Sequence, residues 1–219
     1  MIFTTPENWH SRGVAVQNTW SRRCPRSVFF YSKSSAQCPN HTICNVSNAV
    51  GLDVPEGRDH LTWKTLEGLK YCYKTFGRSV DWYLKADDDV YIFFENLLEV
   101  LFLYNSSSPS YIGQTINMHI PKGYQSGGAG YVLSRAAVAT MFENSTQFKR
   151  YCRCDGAIED LDIGSCLAGF GVYPEDTRDA EGRLRFHSQN PLRVLNGESL
   201  SDHRFINFRG ATFGNKKVS

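Results

Sequence analysis

Short apolar runs alternate with helical periods through the first half of the chain. Ile2-Phe3-Thr4-Thr5 has the character of a strand, Asn8 to Trp20 of a helix, and Ser27-Val28-Phe29-Phe30-Tyr31 of a second strand. This β-α-β order predicts a parallel sheet. Residues 32 to 50 carry no strand or helix period and read as a long loop. Leu66, Leu69, Tyr73 and Phe76 recur at spacings of three and four, which predicts a helix from Leu61 to Phe76. Val80-Asp81-Trp82-Tyr83-Leu84 is then a strand that runs into Asp87-Asp88-Asp89. Glu95 to Leu103 reads as a helix stopped by the turn from Asn105 to Ser110, and Tyr111-Ile112-Gly113 as a short strand. Ser134 follows Tyr131-Val132-Leu133 and suits the N-cap of a helix from Arg135 to Phe142. Ala157 to Leu167 is the last helix, closed by Gly169 and Gly171. Beyond Arg183 no period is secure, and Leu200 to Ser219 is polar and irregular.

The chain has 219 residues, enough for one larger domain or two small ones. Its 24 Lys+Arg against 22 Asp+Glu leave a net charge of +2, which gives no case for a nucleic-acid partner. No stretch approaches the roughly 18 apolar residues that a membrane span needs, and Met1 to Pro6 lacks the regions of a signal peptide. Two features nevertheless point to an oxidising, secretory compartment, with a targeting segment expected outside this stretch. One is four acceptor sequons, beginning at Asn40, Asn45, Asn105 and Asn144. The other is seven cysteines, six of them in the sets Cys24/Cys38/Cys44 and Cys152/Cys154/Cys166.

Three consecutive carboxylates at the end of an apolar strand repel one another, and a divalent cation relieves that repulsion. In an open α/β sheet ligands bind just outside the strand ends, so Asp87-Asp88-Asp89 is placed to hold a hard cation and, through it, a diphosphate. Strand alternation puts Asp87 and Asp89 together and Asp88 opposite; a solvated acidic turn is the plain alternative. Glu159-Asp160 opens a helix, where a carboxylate is favoured by the dipole. Only one of two adjacent helical residues can face a cleft, and Asp160 shares its side with Gly164, whose missing side chain would leave room for a substrate. Asp160 is thus the candidate general base. Ser126-Gly127-Gly128-Ala129-Gly130 has no P-loop or dinucleotide spacing, but its glycines suit close backbone approach to a ligand. A Cys152–Cys166 bridge would close a loop of about 15 residues, worth roughly 3 kcal/mol; zinc on Cys152-x-Cys154 competes, though no Cys or His pair at finger spacing completes four ligands. Cys38 and Cys44 are near enough in sequence to bridge each other, and Cys72, in a helix, reads as a buried thiol. His10, His41, His60 and His119 read as surface residues.

Four motifs in order then carry a resemblance. They are Glu56-Gly57-Arg58-Asp59 with Trp63-Lys64-Thr65; Asp81 to Tyr91 around the acidic run; Gly123 to Ser134 around the glycines; and Ile158-Glu159-Asp160 through Gly164 and Cys166. From the start of the chain to about His187 they resemble the core 1 β1,3-galactosyltransferases. The resemblance implies a GT-A glycosyltransferase fold, an α/β arrangement with a Rossmann-like mixed sheet between helices. Residues 1–190 would be its catalytic domain and 191–219 a divergent tail. It implies transfer of galactose from UDP-galactose to the 3-hydroxyl of GalNAc on Ser or Thr of glycoproteins, with inversion, by a Golgi type II membrane protein that uses Mn2+ and often forms a homodimer. Asp87 and Asp89 would hold the metal, with Asp88 beside the donor, and Asp160 would be the base. Arg58, Asp59 and Lys64 fall in the nucleotide-side motif, and Gly127 and Gly128 in the donor-sugar loop.

Relatives continue with a paired-cysteine segment and a Phe-His-Tyr-type motif whose His completes the metal site. His203 is not a convincing replacement, and His187 matches another position. Relatives also carry a cysteine just ahead of the position of Met1, which would pair with Cys24. The chain therefore reads as lacking its anchor and last metal ligand, and is expected to fold poorly and to bind metal and donor weakly by itself. Two other readings stand beside this one: a different β1,3-glycosyltransferase of the superfamily, or an inactive, chaperone-like homologue. The intact Asp87-Asp88-Asp89 speaks against the chaperone.

Overall fold

A computed structural model describes residues 1–35, 43–190 and 192, together with the backbone of a short antiparallel pair at Thr212–Phe213 and Lys216–Lys217. Its centre is a six-stranded mixed sheet. Strands β1 (Ile2–Phe3), β2 (Phe29–Ser32), β3 (Ala49–Leu52) and β4 (Trp82–Asp87) are parallel in the order β3-β2-β1-β4. Beyond β4 the sheet turns antiparallel. With β5 (Tyr111–Ile112), β6 (Thr115–Ile116), β7 (Tyr124–Gln125) and β8 (Tyr131–Ser134) in chain order, β8 pairs with both β4 and β5, while β6 and β7 form a separate hairpin. The expected α/β fold, mixed sheet included, is present.

The helices divide between the two faces. They are α1 (Pro6–Asn8), α2 (Val14–Asn18), α3 (Leu61–Phe76), α4 (Phe94–Leu101), α5 (Arg135–Glu143), α6 (Ser145–Tyr151) and α7 (Glu159–Gly169). Successive strand residues point to opposite faces, so Phe3, Phe30, Tyr111, Tyr131 and Leu133 join one apolar core with Leu66 and Leu69 of α3, Val138 and Met141 of α5, and Ile163 and Leu167 of α7. Their neighbours Ile2, Phe29, Ile112 and Val132 join a second core with Trp9, Val16 and Trp20 of the N-terminal helical segment and Leu97, Val100 and Leu101 of α4. Both faces of the parallel strands are covered, as such strands require.

Helix α3 spans the predicted residues, and the Ser134 hydroxyl caps α5 by accepting from the Ala137 amide. The β6–β7 hairpin and α6 have no counterpart in the sequence expectation, and three further elements differ from it. Ala49–Leu52 is a strand at the sheet edge rather than the end of a loop; two of its four residues, Ala49 and Gly51, are weak strand formers. The helix expected from Asn8 to Trp20 is interrupted by a π-helical turn, Trp9–Gly13, in which the Trp9 ring lies where a Gly13 side chain would stand, its Cε3 atom 2.4 Å from an ideal Cβ. Strand β4 is placed later than Val80–Leu84 and takes in Asp87.

Candidate active site

The order β3-β2-β1-β4 contains a switch point. The chain leaves β1 toward β2 on one side and β4 flanks β1 on the other, which opens a crevice at their carboxyl ends. Phe3 lies opposite Asp87, so Thr4 sits beside Asp88. The Asp88 amide donates to the Phe3 carbonyl at 3.0 Å, and the Thr4 hydroxyl donates to the Asp88 carboxylate at 2.7 Å. Asp88 is buried, and burial pushes its carboxyl above the ordinary range while the Thr4 hydrogen bond opposes the shift. Lys64 enters from α3; its buried ammonium donates to the Thr4 carbonyl at 3.0 Å and to Glu56 at 3.1 and 3.2 Å. Arg58 and Asp59 lie exposed on the 3-10 turn that leads into α3.

Strand alternation ends at Asp87, and the other two aspartates lie in a turn. Among the described residues Asp89 and Asp87 have different ion-pair partners. Asp89 shares Arg12 with Asp88, the guanidinium standing 3.4 Å from Asp89 and 3.7 Å from Asp88. Arg12 belongs to the π-helical turn, a geometry frequent at functional sites. Asp87 pairs with Lys85, two residues back on the same strand, at 2.9 Å.

Lys85 joins this strand end to α7. Its ammonium also lies 3.3 Å from Glu159, whose second oxygen accepts from the Tyr131 hydroxyl at 2.6 Å. Burial alone would lower the lysine, but Asp87 and Glu159 outweigh it and hold the ammonium above its ordinary value. Burial in turn pushes the Glu159 carboxyl up, against the pull of Lys85. Glu159 thus turns inward, and the half-buried Asp160 turns toward the glycine loop. The Gly127 amide donates to Asp160 Oδ2 at 3.0 Å and the Leu161 amide to Oδ1 at 2.9 Å. Two amide donors leave a carboxylate with further lone pairs, so Asp160 is oriented and still able to take a proton.

The glycines are explained by this contact. A Cβ on Gly127 would stand 3.2 Å from Glu159 Oε2 and 3.4 Å from Asp160 Cβ. Gly130 has φ 69°, and a side chain there would press on the Lys85 carbonyl at 3.0 Å. Gly128 faces Ser188, whose hydroxyl is buried with no hydrogen-bond partner among the described residues. The space expected at Gly164 for a substrate is filled: an ideal Cβ there would lie 2.4 Å from Tyr124 Cβ, so the missing side chain seats the β6–β7 hairpin against α7.

The loop ahead of α7 is fastened to the start of α3. His60, expected as a surface residue, is half-buried and pairs with Asp155 at 2.9 Å, and the Thr62 hydroxyl donates to Asp162 at 2.7 Å. The Cys152–Cys166 disulfide brackets the segment as expected, and Cys154 is an exposed free thiol. Cys72 is free and buried, its thiol pushed up to about 11 by burial. Cys44 is disulfide-bonded, while Cys38, His41 and His203 lie outside the described residues.

Among the described residues no three His, Cys, Asp or Glu side chains gather at metal-binding distance. The oxygen donors at the crevice suit a hard divalent cation, whose remaining positions water or phosphate oxygens can fill. Sequence reasoning missed Thr4, Arg12, Lys85 and Tyr131. For Lys85 a signal existed, since a lysine two positions before an aspartate in an apolar strand shares its face.

A family model described as Fringe-like matches residues 2–216. The chain is 37% identical over 195 residues to the glycoprotein-N-acetylgalactosamine 3-beta-galactosyltransferase 1 of Xenopus laevis, covering 89% of this chain and 51% of that protein. It is 28% identical over 184 residues to human chondroitin sulfate synthase 3, covering 78% of this chain and 20% of that one. It is 26% identical over 202 residues to the mouse beta-1,3-glucosyltransferase, covering 82% and 38%. The chain thus spans about half the length of the frog relative. Among the described residues no helix is long and apolar enough to cross a membrane.

Proposed function

We infer the function of this chain from its family, for the chain belongs to the Fringe-like family. It is a β1,3-glycosyltransferase that moves galactose from UDP-galactose to the 3-hydroxyl of GalNAc on glycoproteins, with inversion at the anomeric carbon. The similarity to the frog 3-beta-galactosyltransferase supports the donor and acceptor. The single observation that carries the mechanism is the Asp160 carboxylate held by the Gly127 amide, beside the carboxyl ends of β1 and β4.

In this reading the donor lies over the crevice, with its nucleotide toward Lys64, Arg58 and Asp59 and its sugar over Gly127 and Gly128. Asp160 takes the proton of the acceptor hydroxyl as the oxygen attacks the anomeric carbon. Asp87 and Asp89, with Asp88 behind them, would hold a divalent cation such as Mn2+, which when bound neutralises charge on the leaving diphosphate. Arg12, already within 3.7 Å of Asp88 and Asp89, is placed to release them and meet that diphosphate. The exposed sequon residues Asn105 and Asn144 and the Cys152–Cys166 disulfide support a lumenal, Golgi location.

The test is a transfer assay with UDP-galactose and a GalNAc-bearing peptide, with and without a chelator. Transfer that chelation abolishes and Mn2+ restores is expected. Absence of transfer in the presence of Mn2+ from a chain that binds UDP would move the assignment to another acceptor or donor. The similarities to a chondroitin synthase and a glucosyltransferase make other UDP-sugars the donors to screen next.

A further inference from the structure

A lysine held at 3% exposure between two carboxylates is a costly way to join a strand to a helix. Each ion loses hydration, and apolar side chains of similar volume commonly do the same packing at equal or better stability. Lys85 nevertheless occupies that junction. Its ammonium lies 5.9 Å from the ring centroids of both Phe3 and Tyr131. It is 2.9 Å from Asp87 on its own strand and 3.3 Å from Glu159 at the start of α7. Glu159 is fixed in turn by the Tyr131 hydroxyl. The next residue is Asp160, whose carboxylate takes the Gly127 amide.

Packing explains part of this set but not its charge. The rings of Phe3 and Tyr131 that flank the ammonium, and Ile163 and Leu167 of α7, belong to one apolar core, so an apolar strut would fit beside them. What an apolar strut lacks is a directional hold on Asp87 and Glu159 together. An ammonium has three donors and can bind both at once. A displacement of α7 relative to β4 would disturb the Glu159 contact, and with it the placing of Asp160 relative to Asp87.

We propose that Lys85 is a positioning residue: by pairing with Asp87 and Glu159 together it sets the spacing between the donor-side carboxylate and the base Asp160. The proposal rests on the transferase reading given above. Misplacement of a reacting group by about 1 Å can cost about 10²-fold in rate, and the Lys85 bridge joins the strand that carries Asp87 directly to the helix turn that carries Asp160.

The experiment compares Lys85→Met, Lys85→Arg and the charge-matched double variant Lys85→Met/Glu159→Gln. Thermal melting, UDP binding by calorimetry with Mn2+ present, transfer kinetics and amide hydrogen exchange are measured for each. The expected result is a kcat about 10²-fold lower for Lys85→Met at unchanged acceptor KM. Exchange should become faster at residues 158–163 and at the Gly127 amide, with the rest of the chain unaltered. Lys85→Arg, which keeps the charge, should recover part of the rate. A purely structural role predicts instead a lower melting temperature with exchange raised throughout and kcat per folded molecule unchanged. A kcat within about threefold of the parent in Lys85→Met overturns the proposal. Should Lys85→Met not fold, the double variant, which leaves no unpaired charge on Glu159, is judged by the same kinetic criterion. If the parent itself neither transfers a sugar nor binds UDP, the transferase reading falls. Hydrogen exchange then still decides on the junction: loosening confined to the start of α7 supports the strut, and an unchanged pattern overturns it.

Discussion

Asp87 and Asp89 stand two residues apart at the end of one strand, yet their surroundings are opposite in kind. Asp87, itself 41% exposed, faces Lys85, whose side chain is 4% exposed and which also holds Glu159; Asp89 is 61% exposed and faces Arg12, 52% exposed. The first pair is built into the junction of β4 and α7. The second lies in water, where solvent can replace either partner at little cost. Of two carboxylates two residues apart, one is therefore held by a buried partner and the other is free to exchange its partner. A site that must hold a base in register and also admit a charged donor needs both properties.

Substitutions can break this contrast or sharpen it. The largest effect is expected from Asp160→Asn, which should lower transfer by about 10³-fold while UDP binding measured by calorimetry persists. Retained turnover would take Asp160 out of the mechanism. Next, Glu159→Ala leaves Lys85 with one carboxylate and strands the Tyr131 hydroxyl, so urea unfolding should show a loss of about 3 kcal/mol. Thr4→Val removes the hydrogen bond to the buried Asp88 and should cost about 1–3 kcal/mol in the same measurement. Arg12→Ala should change stability by less than about 1 kcal/mol. A loss as large as that of Glu159→Ala would show the two sides of the crevice to be alike. The smallest effect is chemical: near neutral pH, alkylation should modify the exposed Cys154 first and leave Cys72 intact in the native protein. A thiol held up at about 11 carries little thiolate there.

Much of the site was legible before any coordinates. The acidic run at a strand end, the glycine segment and the Glu159-Asp160 pair were all marked by residue type and position. Adjacent helical positions diverge by about 100°, so the sequence predicts that only one residue of the pair faces a cleft. The divergence is real, but both residues are employed, Glu159 toward Lys85 and Asp160 toward Gly127. Gly164 was read as open space for a substrate, whereas Tyr124 fills it. No local pattern could have shown this, since the residues meet only when the hairpin docks on α7. Arg12 was hidden for a related reason, because the helical period alone did not reveal the π-helical turn that aims it at Asp88 and Asp89.

The sequence by itself determined most of the strand and helix periods, the parallel opening of the sheet and the concentration of carboxylates at one edge. Each follows from spacing within a short window, where periodicity and like-charge repulsion act directly. Tertiary structure alone decided which carboxylate received which partner. Thr4 reaches Asp88 across a separation of 84 residues, Tyr131 reaches Glu159 across 28, and the Gly127 amide reaches Asp160 across 33. Those pairings depend on burial, which sets the energetic cost of leaving a charge without a partner, and burial is a property of the assembled layers and not of any segment of the chain.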